Sequence, residues 1–317
     1  MSNNVLTLKK PIEYSNAVKD VFNLISYKYR QPLVMGSNSM RFKYASDYDL
    51  FSVIISKKSL EGLKKEVSIM FKRMMKNIKS RKDDIYFIEF MCGVDDDNKP
   101  LKWTMEEVIK GNKGKYKLID VLDEYSIIKI EIVGYINGEF IPFSDVFHFQ
   151  IGKTGINQAK ITLDTVPSLS KEVKKYYDAK NYMKVLKRLF IISQVKKDKT
   201  LSEKLINIFQ SDIGMVYKIK SDITTILKVL DLYKDKKTLE RVSKTIDILK
   251  EKLTKQTRFN FSVNLFKNFD KVVNSKTAKS MIKHLSNIEK SLLQNVNSEL
   301  TKEIKSNKIS FKEYLKS

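Results

Sequence analysis

The chain has 317 residues, 42% of them hydrophobic, with 60 Lys+Arg against 37 Asp+Glu and a formal net charge of +23. That content supports real cores in one large or two ordinary domains and excludes a disordered or fibrous chain. One cysteine, Cys92, excludes an internal disulfide, and two distant histidines, His148 and His284, with no cysteine cluster near either, argue against structural zinc.

The opening MSNNVLTLKK lacks an apolar signal core, and no run approaches the roughly 18 apolar residues of a membrane span. The expectation is a soluble protein of a reducing compartment with no membrane partner. The charge is uneven: residues 1–170 hold 26 Lys+Arg against 21 Asp+Glu, and residues 171–317 hold 34 against 16. A positive field concentrated in one half is the electrostatic footprint of a nucleic-acid binder. Composition accounts for part of it, since 53 of the 60 basic residues are lysine in a chain rich in Ile and Asn, the usage of an AT-rich genome.

In chain order, Val18, Val21, Phe22, Ile25 and Tyr29 give an amphipathic helix over 14–30, which Pro32 stops. "PLVMG" and "DYDLFSVII" read as buried strands. Helical spacing returns over 58–79 through Leu60, Leu63, Val67, Met70, Phe71, Met74 and Ile78, the methionines filling core. Strands follow at 85–93, 126–136 and 139–151, the last two joined by the hairpin signal Asn137-Gly138. The insertion between the first two carries a short helix near Thr104 to Ile109.

From about Val166-Pro167-Ser168 glycine and proline nearly vanish. Helical periodicity runs through 169–180, 181–197, 201–210, 213–233, 236–256 and 275–297, while "RFNFSVNLFKNFDK" (258–271) alternates in places, which weakens the helical pattern there. The division is an α+β domain over 1–165, a mixed sheet with flanking helices, and an all-helical lysine-rich domain over 166–317.

The chemistry sits in "VMGSNSMRFKYASDYDLF", residues 34–51. Asp47 and Asp49, two apart on a strand, leave the same face. Carboxylates so placed can bridge two divalent ions about 3.5–4 Å apart, the arrangement for in-line attack on phosphorus, and magnesium suits an all-oxygen set completed by substrate phosphates. Glu131, between isoleucines on a later strand, is the candidate third carboxylate. Gly36 and Ser37 allow close approach of the backbone and offer hydroxyl and N–H to a triphosphate, with Asn38 and Ser39 as further donors. Arg41 and Lys43 reach phosphate or stay solvated.

This order, apolar strand, Gly-Ser, ten residues to D-x-D, then another apolar strand, resembles the DNA polymerase β-like nucleotidyltransferase superfamily. "KWTMEEVIKG", "IKIEIVGYINGEFIPFSDVF" and "YYDAKNYMKVLKRLF" extend the likeness, over most of the first 235 residues, to the compact nucleotidyltransferases and poly(A) polymerase catalytic domains of large double-stranded DNA viruses. The resemblance implies Gly36 and Ser37 at the triphosphate and Asp47, Asp49 and Glu131 at two Mg²⁺ or Mn²⁺ ions. It further implies an NTP, ATP first, as substrate and RNA as acceptor. A homodimer or a viral protein is the implied partner, and the host cytoplasm, a viral factory or the virion the implied location. The chain departs from the pattern at Glu131, where aspartate is usual, at Met91, where lysine is common, and at Glu139, where a basic residue is common.

Three functions stay open. The first is template-independent addition of a nucleotide to an RNA 3′ end, the second a catalytically impaired RNA-binding or regulatory subunit of the same fold, and the third nucleotidyl transfer to a small molecule or protein. His148 reads as a hydrogen-bonded core or edge residue of a strand, His284 as a helix surface or packing residue, Cys92 as a buried apolar one and Trp103 as an anchor for the insertion.

Overall fold

A computed structural model of the chain describes residues 33–35, 43–45, 47–56, 59–81, 83–122, 127–151, 166–311 and 315. The helix expected over 14–30 lies outside them, as do Gly36, Ser37, Asn38, Ser39 and Arg41. The chain divides into two compact units, one formed by Leu6–Met40 and Asp47–Lys160, the other by Met1–Val5, Arg41–Ser46 and Ile161–Ser317.

The first unit is built on a mixed sheet. Its strands are β1 (Leu33–Met35), β2 (Tyr48–Ser56), β3 (Ile85–Val94), β4 (Pro100–Trp103), β7 (Ile127–Ile136) and β8 (Glu139–Ile151), in the order β1-β2-β8-β7-β3-β4. Only β2 and β8 run parallel; the other pairings are antiparallel. A two-stranded ribbon, β5 (Asn112–Lys113) with β6 (Tyr116–Lys117), stands apart in the insertion. The β7–β8 turn is made by Asn137 (φ 52°) and Gly138 (φ 85°), with Ile136 paired to Glu139, so the turn fixes the register of everything behind it.

Helix α1 (Leu60–Ser80) begins where the Ser59 side chain accepts from the Gly62 N–H, and its stripe of Leu63, Val67, Phe71, Met74, Met75 and Ile78 is buried. These side chains share one apolar cluster with Phe90, Ile128, Ile130, Ile132, Phe143 and Phe147 of the sheet. Phe71 meets Phe90 edge-on at 5.0 Å and Phe147 at 6.1 Å, and burial of each such ring contributes about 1.5–3 kcal/mol. Met74 and Met75 are core filling, as the spacing implies.

In the insertion, helix α2 (Met105–Lys110) opens on a capping box of Thr104 and Glu107 and closes on Gly111 in the left-handed region. The Trp103 indole N–H donates to the Cys92 carbonyl at 3.0 Å with both residues buried, so Trp103 anchors β4 and Cys92 is an apolar core residue. The small strands β4 to β6 have no sequence signal strong enough to find them; they exist through pairing.

The second unit is helical among the described residues from 166 onward: α3 (Val166–Asp178), α4 (Tyr182–Lys196), α5 (Lys199–Gln210), α6 (Asp212–Leu232), α7 (Lys236–Gln256), α8 (Val263–Val273) and α9 (Ala278–Ser306). Side-chain caps punctuate it in place of Gly or Pro. Asn181, Asp198, Ser211, Asp235, Ser262 and Thr277 each accept a backbone N–H at a helix start. The alternation at 258–271 resolves into a loop carrying the stacked pair Phe259 and Phe261, then α8. Helix α9 outruns its expected end at 297 because Val296 and Leu300 continue the stripe buried against α4, α6 and α8.

Candidate functional site

Strand β2 orients the aspartate pair. Tyr48 turns into the α1 side of the sheet, where its ring stacks on Phe143 at 5.3 Å and burial pushes its hydroxyl pKa up. Alternation then sends Asp49 to the opposite face, while Asp47 lies one residue before the strand rather than on it. Both aspartates are half-buried.

Register carries that face across the sheet. Asp49 pairs with Ser144 on β8, Ser144 with Glu131 on β7, and Glu131 with Glu89 on β3. A bulge between Phe87 and Glu89 brings Glu89 into this row. One step along, the second row reads Phe51, Val146, Lys129, Met91, Lys102. Laterally paired residues share a face, so Asp49 and Glu131 lie on the same side of the sheet with one strand between them. Two strand spacings separate their backbones by about 9.5 Å.

The second row supplies cations to the first. Lys129 pairs with Glu131 at 3.3 Å, side chains 32% and 22% exposed, and Lys102 pairs with Glu89 at 2.6 Å. The hydrogen bond to Glu89 is the main cause that raises the Lys102 pKa, helped by the charges of Glu89 and Glu131. Met91 stands between these two lysines in the register, so positive charge missing at Met91 reaches the face from the neighbouring strands. Ser144, Glu89, Lys102 and Lys129 are contributions that sequence reasoning missed. Lys129, two residues before Glu131 on a strand, was the one legible signal.

Strand β8 places Ser144 beside Asp49 and turns Asp145, fully buried, to the α1 side with Leu50 and Ile130. Glu139 sits at the hairpin turn, paired with Ile136. The aspartates are oxygen donors of the kind a hard divalent cation takes. Among the described residues no three His, Cys, Asp or Glu side chains are grouped to hold a metal ion. The fit is therefore that of an aspartate pair with Glu131 engaged by a lysine. Lys43 is exposed and lies over the Tyr44 ring at 5.1 Å. His148 occupies a β8 position paired with Val53 and Ile127. His284 Nδ1 is 3.2 Å from Asn268 Oδ1. Among the described residues no helix is long and apolar enough to cross a membrane.

No protein-family model matches the sequence. The uncharacterized protein V21 of Sputnik virophage is 27% identical over 161 residues, spanning 43% of this chain and 36% of its own length. The chain thus matches about a third of that relative. Among solved structures, the Mg662 protein of M. chilensis complexed with GTP superposes with a TM-score of 0.68 at 16% identity, over 98% of this chain and 96% of that one. Two structures of a Megaviridae ORFan product described as a new nucleotidyl transferase give 0.66 and 0.67 at 16% identity, over 96% and 99% of this chain and 99% and 94% of theirs. The α+β architecture expected from the sequence is present, and it is the fold of these nucleotidyl transferases.

Proposed function

We propose that the chain is a template-independent nucleotidyltransferase that moves NMP, with AMP as the first choice, from an NTP to the 3′ hydroxyl of RNA. The single observation that carries the reading is the lateral row Asp49, Ser144, Glu131 on one sheet face, in a fold shared along nearly the whole chain with nucleotidyl transferases. In the reaction the acceptor oxygen bonds to the α-phosphorus and the bond to the leaving pyrophosphate breaks. Asp47 and Asp49 would hold the divalent cations, and Glu131, now paired with Lys129, would be the third carboxylate. Gly36, Ser37, Asn38 and Ser39, outside the described residues, bind the triphosphate. Bound there, Mg²⁺ or Mn²⁺ would supply activation of the hydroxyl and neutralise charge at the leaving group. The GTP in the Mg662 complex supports an NTP as donor and makes GTP the competitor to ATP. On this reading the protein works in the host cytoplasm, a viral factory or the virion, with a homodimer or a viral protein as company.

The test is extension of a labelled oligoribonucleotide with each of the four NTPs in Mg²⁺ and in Mn²⁺. Ladders that vanish in Asp47→Asn with Asp49→Asn support the reading. No extension with any nucleotide in either metal overturns it. The ion pair between Lys129 and Glu131 favours a second reading, an RNA-binding subunit with impaired catalysis. In that case Glu131→Asp raises an otherwise negligible rate.

A further inference from the structure

Several lysines of the helical unit meet carboxylates: Lys218 pairs with Asp222, Lys220 with Glu289, Lys250 with Asp270 and Lys255 with Glu251. The corner between α3 and α4 is different. Residues 171–197 hold nine Lys and Arg against two Asp and Glu. Three of these cations surround one aromatic ring, with Lys184 at 5.0 Å, Arg188 at 5.6 Å and Lys175 at 6.0 Å from the centre of Tyr176. Glu172 is engaged by Arg188. Among the described residues no carboxylate lies within ion-pair reach of Lys174, Lys175 or Lys184, and all three are exposed.

The next residue, Tyr177, is 36% exposed. Its ring is held from two sides, by Tyr182 at 5.8 Å and edge-on by Phe311 at 5.9 Å, so it is presented in a fixed orientation. Lys174 lies one helical turn before it. Concentrated like charge beside a rigid aromatic ring costs stability through self-repulsion, and a strand of phosphates with accessible bases relieves it.

We propose that the α3–α4 corner is a docking platform for single-stranded RNA, with phosphates on Lys174, Lys175 and Lys184 and a base stacked on Tyr177. This rests on the acceptor part of the reading above and names the surface that takes it. A single strand is preferred because only unpaired bases offer a ring face, and a duplex would use the lysines alone.

The test is fluorescence anisotropy of a labelled single-stranded oligoribonucleotide of about 15 nucleotides, without nucleotide or metal, on variants whose fold is verified by circular dichroism. Tyr177→Ala weakens binding about tenfold while Tyr177→Phe keeps it. Replacing Lys174, Lys175 and Lys184 by Gln lowers the slope of log affinity against log salt by about 2. Phe261→Ala, on the stacked pair elsewhere in the unit, leaves affinity unchanged. Wild-type affinity and slope in both the Tyr177→Ala and the triple variant would overturn the platform, as would equal loss on duplex RNA or no binding by the parent. A chain that binds RNA through this corner yet extends nothing sinks the catalytic reading and leaves the platform standing.

Discussion

Lys129→Met removes the charge next to Glu131 and keeps the shape of the side chain. The ammonium lies 3.3 Å from Glu131 Oε1, where the Coulomb attraction at an effective dielectric constant of about 20 is about 5 kcal/mol. Both side chains are partly exposed, 32% and 22%, so screening and desolvation reduce the net coupling to about 1 kcal/mol. A divalent cation that uses Glu131 has to displace this ammonium. Removing the competitor therefore tightens the cation by about that amount, roughly fivefold. The assay is titration with Mn²⁺ read by the paramagnetic signal of the free ion, on parent, Lys129→Met, and Asp47→Asn with Asp49→Asn. The expected order is tighter binding in Lys129→Met and loss of binding in the double aspartate variant. If the aspartate variant loses Mn²⁺ and Lys129→Met binds as the parent does, Glu131 is outside the cation site and the reasoning fails at that residue.

Gly214→Ala, a change that usually strengthens a helix by about 1 kcal/mol, destabilises here. A Cβ at Gly214 would stand 1.9 Å from the Phe209 carbonyl oxygen, and the forced separation of α5 from α6 costs about 1–3 kcal/mol in urea unfolding. Trp103→Phe removes the indole N–H that donates to the Cys92 carbonyl and leaves a gap in the core; a loss of about 2 kcal/mol lowers the melting midpoint by about 4–8 °C. His284 has its pKa lowered by burial and by Lys271 and Lys283. The folded state thus binds the proton less well than the unfolded one, and stability present above the unfolded value of 6.5 is lost as pH falls through the depressed one. Denaturant midpoints from pH 8 to pH 5 therefore fall more steeply for the parent than for His284→Asn.

By itself the sequence determined the local terms. Alternation in "SIIKIEIVGYI" and "EFIPFSDVFHFQI" made β7 and β8, Asn137-Gly138 joined them, the stripe from Leu63 to Ile78 made α1, and the apolar run in "DYDLFSVII" made β2, which carries Asp49. Tertiary structure decided which partners that face holds. Asp49, Ser144, Glu131 and Glu89 come from four strands between residues 49 and 144, and their row depends on a parallel crossover and a bulge that no local pattern encodes. The same pairing brought Lys129 and Lys102 beside the glutamates and turned Asp145 inward, one residue from Ser144. Backbone preference acts over a few residues, whereas register across a sheet is chosen by burial of the opposite face, so which charges meet is known only once the sheet is assembled.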